Sequence, residues 1–265
     1  HYNYQTPGKN DNNPGTYESN KAHLSWNHEF DKDTHNIFAL GYNRTKYVPT
    51  WGPTAYKTFL IQEQFTKNLA DKHLLTAGID FDTTDITEGT GSGEKMSNVA
   101  YYLQDQWKLA KGLKLIYGIR YTNPNKFESQ WSPSLNLGYE FNDKTNMYVS
   151  WGKFFNSPTV YQLFGQKYGN SSLKPENGKN FEVGLNHKFT DDFAATAHFF
   201  YRTTTDKLIY DYGTEKYTNS SDNVTTRGFD LEFKKAFGKH WRTGLGYTYL
   251  YQSRTAPGAT GAENM

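Results

Sequence analysis

The stretch Asn98-Val-Ala-Tyr-Tyr-Leu-Gln-Asp-Gln-Trp-Lys-Leu109 decides the fold. Its odd positions are Val99, Tyr101, Leu103, Asp105, Trp107 and Leu109. Its even positions are Asn98, Ala100, Tyr102, Gln104, Gln106 and Lys108. Side chains of a strand alternate between its two faces, so this segment has one greasy face and one polar face. The pattern recurs downstream. Phe181, Val183, Leu185 and Phe189 alternate with Glu182, Gly184, Asn186 and Lys188. Phe193, Ala195, Ala197, Phe199 and Tyr201 alternate with Thr196, His198, Arg202 and Thr204. Phe229, Leu231, Phe233 and Phe237 alternate with Asp230, Glu232 and Lys234.

Extended along the chain, the same parity predicts about twelve strands, near 18–30, 35–48, 56–67, 73–87, 98–109, 113–121, 130–141, 146–155, 179–189, 193–210, 225–237 and 240–253. The links between them are of two kinds. Six are short and turn-like: Asp31 to Thr34, Ala70 to Lys72, Ala110 to Gly112, Asn142 to Thr145, Thr190 to Asp192 and Gly238-Lys239. The others, at 49–55, 88–97, 122–129, 156–178 and 211–224, are mostly longer and richer in Gly, Ser, Asn and Pro. Short turns on one side of a membrane and long loops on the other are the rule for outer-membrane barrels. A soluble sandwich or propeller also alternates, but it has no reason to keep short and long links in strict succession, and no blade-like repeat is present.

Composition supports a membrane wall. The chain has 265 residues, of which only 35% are hydrophobic, and a mean hydropathy of −0.85. Yet 21 Tyr, 18 Phe and 6 Trp make it far too aromatic for a disordered chain. Rings at two interfaces and a polar lumen face produce this mixture. No apolar run is long enough for a spanning helix. The net charge of +2 has no basic block, so nucleic acid is not an expected partner. The absence of Cys excludes disulfides and thiolate chemistry.

The segment Trp151 to Phe189 resembles the TonB-dependent outer-membrane receptors. The resemblance is carried by Phe155, Pro158, Tyr161, Leu163, Gly169, Asn170, Leu173, Lys174, Pro175, Glu176, Phe181, Glu182 and Gly184. Three shorter pieces are similar to strands of that family: Tyr101 to Trp107, Trp131 to Leu135, and Arg227 to Glu232. The similarity covers most of 98–253; residues 1–97 match mainly in style. It implies an all-β, antiparallel transmembrane β-barrel of about 22 strands around an N-terminal plug. It also implies a bacterial outer-membrane location and monomeric function. A metal chelate or cobalamin would be the ligand, surrounding lipid a partner, and the TonB–ExbB–ExbD complex the source of energy through parts outside this chain. Residues 1–265 are then expected to be a single partial barrel domain without its plug. If the short turns are periplasmic, both 1–17 and 254–265 lie outside the cell, so an odd number of strands is expected beyond each end.

No catalytic constellation is present. The eight His are scattered, no Gly-x-Ser-x-Gly elbow occurs, and Gly89 to Gly93 lies between strands rather than before a helix. Asp80, Asp82 and Asp85 suggest calcium, but lumen carboxylates more often face Lys or Arg. No resident cofactor or metal is expected. What remains is binding. Loop 156–178 offers Tyr161, Phe164, Gln166, Lys167 and Tyr168, with Tyr47 and Trp51 in a second outer loop and Tyr210, Tyr212 and Tyr217 in a third. Rings and a few polar groups suit a large flat ligand, although Tyr and Trp also gather at membrane interfaces. No His lies between Pro158 and Asn170, which argues against the haem-binding variant of the resemblance. Siderophore-bound iron, haem or cobalamin stands as the expected cargo. A barrel protease or lipase, or a passive porin, is the alternative.

Overall fold

The computed structural model describes residues 15–48, 53–89, 91–165, 167–255 and 263–264. Ten consecutive strands form an antiparallel meander: β1 (Thr16–Asp31), β2 (Thr34–Val48), β3 (Thr54–Leu69), β4 (His73–Glu88), β5 (Lys95–Ala110), β6 (Leu113–Pro124), β7 (Gln130–Asn142), β8 (Thr145–Asn156), β9 (Glu176–Thr190) and β10 (Phe193–Thr205). A five-residue helix, α1 (Val160–Phe164), sits between β8 and β9. After β10 come a small separate hairpin, β11 (Leu208–Asp211) and β12 (Lys216–Asn219), then β13 (Asn223–Phe237), β14 (Trp241–Thr255) and the two-residue β15 (Glu263–Asn264). The main sheet runs β1 to β10 in order, then β13, β14 and β15, and it is not closed.

The long strands have 12 to 16 residues. At about 3.3 Å per residue they exceed what a tilted strand needs to cross a bilayer, so their upper ends stand clear of the hydrocarbon. All six expected short turns join neighbouring strands. Their chemistry is local: Asp31 accepts from the Asp33 N–H at 2.8 Å, and Asn142 accepts from the Lys144 N–H at 2.9 Å. Such Asx turns let a side chain stand in for a backbone acceptor.

The expected strand 193–210 is corrected. The sheet strand stops at Thr205, Asp206 takes φ +54°, and Leu208 leaves the sheet to begin a hairpin of its own. Residues 211–224, expected as open loop, contain the second half of that hairpin.

Parity holds across the wall. Leu103 pairs with Ala77 and Ile119, Phe199 with Val183 and Phe229, and Leu245 with Phe233, all on one face. Leu103 and Phe199 are each 54% exposed and Leu245 68%. Among the described residues, few apolar side chains are buried, and most of those are small or lie near the loop end: Ala39, Ala55, Ile86, Ala100, Leu163, Leu173 and Val224. A single sheet with its rings exposed has no dry interior, which removes the soluble sandwich. These rings are covered only when lipid covers them.

The opposite face is joined differently. Gly78 lies opposite Tyr102, Gly184 opposite Tyr148, Gly178 opposite Phe154 and Gly228 opposite Phe200. In each pair the ring lies over the glycine; a Cβ on Gly184 would meet Tyr148 Cε1 at 2.2 Å. Polar bonds also link this face. Arg120 donates to Asp80 at 2.5 Å, and Asn98 donates to Asp82 at 2.8 Å. Asp85 faces Lys95 at 3.7 Å, on the other parity from Asp80 and Asp82. The three carboxylates considered for calcium are therefore engaged by protein groups on two faces.

Two carboxylates stand on the greasy face toward its periplasmic side. Asp105 is 5% exposed; His73 Nδ1 lies 2.7 Å from it and the Tyr117 hydroxyl donates to it at 3.0 Å. Glu63 accepts from the Asn36 side chain. A carboxylate facing lipid is costly unless it is hydrogen-bonded, and neighbouring strands supply donors to Asp105 Oδ2 and to Glu63, while Asp105 Oδ1 is left without one.

Candidate functional site

The site is built by the connection between β8 and β9. Thr159 caps α1: its hydroxyl accepts from the Gln162 N–H, and the Gln162 side chain accepts from the Thr159 N–H at 2.8 Å. Pro158 is fully buried before the helix and Leu163 is buried within it. Phe164 rests against Gly91 of the β4–β5 loop, and Lys126 stands 5.3 Å from its ring. A connection above β8 thus reaches a loop four strands away. That reach is across the polar, concave side, toward Ile86 and Tyr56 of the β3–β4 wall.

The second half of the connection is pinned to the β11–β12 hairpin. The Asn170 side chain accepts from the Ser172 N–H and donates to the Tyr217 carbonyl at 2.9 Å. The Tyr217 N–H donates to the Tyr168 carbonyl at 3.0 Å. Asn219 donates to the carbonyls of Lys174 and Asp206 and accepts from the Lys174 N–H at 2.8 Å. Leu173 and Pro175 are buried, and Glu176 accepts from both Asn156 and the Leu208 N–H. The motif Gly169 to Glu176 is therefore scaffold: its Asn170 and Glu176 side chains satisfy backbone that irregular loops would otherwise leave unpaired.

On this scaffold five tyrosines meet. Ring centroids are 5.6 Å apart for Tyr168 and Tyr210, 5.4 Å for Tyr210 and Tyr217, 5.1 Å for Tyr210 and Tyr212, and 6.2 Å for Tyr161 and Tyr217, all edge to face. Tyr212 is 87% exposed and Tyr161 49%. Lys167 pairs with Glu215 at 2.9 Å and lies 5.0 Å from the Tyr168 ring. Desolvation, then the Tyr217 and Tyr168 hydroxyls, raise the Tyr161 phenol above its ordinary value. Hydrogen bonds to Glu215 and Tyr168 raise the Lys167 ammonium. Tyr161 is thereby kept as a neutral O–H donor, and Glu215 keeps the Lys167 ammonium charged.

Tyr161, Lys167 and Tyr168 from one stretch of sequence thus come together with Tyr210, Tyr212 and Tyr217 from another. Phe164 anchors the turn rather than joining the cluster. Tyr47 ends β2, opposite Tyr17 and Thr54, on another part of the rim. Trp51 and Gln166 lie outside the described residues. Sequence reasoning missed Glu215 and Tyr56. A signal for Glu215 existed: Leu-Ile-Tyr and Lys-Tyr-Thr flank Asp211-Tyr-Gly-Thr-Glu215, a hairpin spacing. Among the described residues, no three of His, Asp and Glu gather as a metal site.

Comparison with known proteins agrees with this architecture. The family model for the TonB dependent receptor-like β-barrel matches residues 1–264. The vitamin B12 transporter BtuB of Vibrio cholerae is 26% identical over 137 residues, covering 51% of this chain and 21% of that protein. A probable TonB-dependent siderophore receptor, PirA of Acinetobacter baumannii, is 24% identical over 214 residues, covering 68% and 27%. Among solved structures, the siderophore receptor PirA from Pseudomonas aeruginosa superposes with a TM-score of 0.79 at 17% identity, covering 93% of this chain and 54% of that one. The chain spans about a quarter of the curated relatives and about half of the solved one. Its twelve long strands, greasy outer face and polar inner face are those of a bacterial outer-membrane wall, and the chain belongs to the TonB-dependent receptor β-barrel family.

Proposed function

We propose that this chain is part of the wall and outer mouth of a receptor that captures a scarce nutrient and imports it with energy from a TonB–ExbB–ExbD complex. The cargo is an iron chelate or a cobalamin-like molecule, large and partly flat. The carrying observation is the cluster Tyr161, Tyr168, Tyr210, Tyr212 and Tyr217 beside Lys167. It is held on a hydrogen-bonded platform that leans over the polar side of the wall. Preorganised rings bind at low entropic cost, because a Tyr has few rotors to freeze. An inward-leaning loop would also suit a porin constriction. A porin gains nothing from five clustered rings, and membership of the receptor family favours capture. Among the described residues, no pair of groups near the mouth supports acyl or peptide hydrolysis. The related proteins include transporters named for vitamin B12 and for siderophores, which supports the same cargo class here.

The test uses the full receptor in a deletion strain. Equilibrium binding and uptake are measured for single chelates and for cobalamin. Changing Tyr161, Tyr210 and Tyr217 together to Ala is expected to weaken binding of one cargo by about 2–4 kcal/mol, at roughly 1–3 kcal/mol for the leading ring. Unchanged affinity and uptake for every cargo would remove the site.

A further inference from the structure

The outward face of the wall carries a second feature. A shallow hollow of about 760 Å³ opens at the extracellular end of β7 to β10 and β13, lined among others by Trp131, Lys153, Phe155, Lys179, Thr203 and Thr225. These positions share the greasy parity: Lys153 pairs with Lys179, Lys179 with Thr203, and Thr203 with Thr225. One step toward the periplasm on the same face lie Trp151, Phe181 and Tyr201, also paired with one another, and then Arg227. The hollow therefore sits in an aromatic belt, at the depth of lipid headgroups.

Two lysines directly opposite each other on neighbouring strands repel. Several other lysines of the wall have a carboxylate partner: Lys46 has Glu88, Lys95 has Asp85, Lys126 has Glu94 and Lys235 has Asp192. Lys153 and Lys179 have no ion pair and no hydrogen bond among the described residues, and both are exposed. Arg227 adds a third cation and stands 4.9 Å from the Tyr251 ring. Among the described residues, no acidic side chain lines the hollow.

We propose that this hollow holds the phosphate of an outer-leaflet glycolipid, with Lys153 and Lys179 sharing the anion between them. Trp131 and Phe155 flank the sugar side and Trp151 and Phe181 the acyl side, while the Thr203 and Thr225 hydroxyls supply neutral donors. Phosphate is the chemistry that removes the lysine repulsion, and the ring belt places it in the bilayer rather than in free solution. The inference needs the membrane placement only, not the import reading, so the two fail separately.

The test uses the full receptor, stripped of lipid and incubated with diphosphorylated lipid A, the same lipid without phosphate, or phosphatidylcholine. Bound lipid is counted by native mass spectrometry. The wild type is expected to retain the diphosphorylated lipid in preference to both others. Lys153→Gln with Lys179→Gln should lower retention by about 25-fold, at roughly fivefold per cation. Lys153→Arg with Lys179→Arg should keep it within about twofold on the same scale. Resistance of the fold to detergent at room temperature is checked for each variant, and cargo uptake should be unchanged. Equal retention of all three lipids by the wild type, or full retention by the glutamine variant, would overturn the proposal.

Discussion

At the scale of single residues, the lipid face obeys its pattern so closely that the exceptions become informative. Asp105 stands at a greasy position in the stretch that decides the fold, and sequence parity gives no reason for it. The reason lies on the neighbouring strands, where His73 and Tyr117 turn toward it at 2.7 and 3.0 Å. Breaking such a set is worse than removing it. His73→Ala is expected to cost about 1–3 kcal/mol, by leaving a lipid-facing carboxylate with one partner fewer. Asp105→Leu combined with His73→Phe should cost less than that single change, because no polar group is stranded. The temperature at which the folded full receptor loses its detergent-resistant mobility ranks the variants. A double variant less stable than His73→Ala would contradict this account of Asp105.

At the scale of elements, the strands were legible and their ornaments were not. Period-2 alternation depends only on which side chains meet lipid, so twelve long strands and six short turns could be read within a few residues. The β11–β12 hairpin escaped because the apolar run Leu208, Ile209 and Tyr210 follows β10 with no Gly or Pro between them. Only the left-handed turn at Asp206 and the capture of Leu208 by Glu176 separate them. The helix α1 escaped because five residues are too few for a period to show. The candidate site was half legible for the same reason. Its rings stand out in the sequence, but their meeting depends on Asn170 and Asn219, whose side chains bridge segments 45 to 47 residues apart. The inner-face glycines were legible as small residues but not as sockets. Gly184→Val is expected to push the Tyr148 ring off its seat, costing about 1–3 kcal/mol through overpacking. A melting temperature of the full receptor no lower than wild type would show that the ring is not seated there.

At the scale of the whole molecule, one wall has three working surfaces. The outer face carries the rings that lipid must cover. The inner face carries glycine sockets, ion pairs and amides. The extracellular end carries a platform whose motif residues fasten loops together so that tyrosines can be displayed. The first surface is the central claim, since both the import reading and the phosphate hollow depend on it. No Cys in these 265 residues competes for a label. Spin labels placed one at a time at residues 99 to 104 of the full receptor in a bilayer report contact with oxygen, which favours lipid, or with a water-soluble nickel complex. The account predicts alternation at every step, with oxygen reaching 99, 101 and 103 and nickel reaching 100, 102 and 104. A helical period of 3.6, or equal access at neighbouring positions, would contradict it.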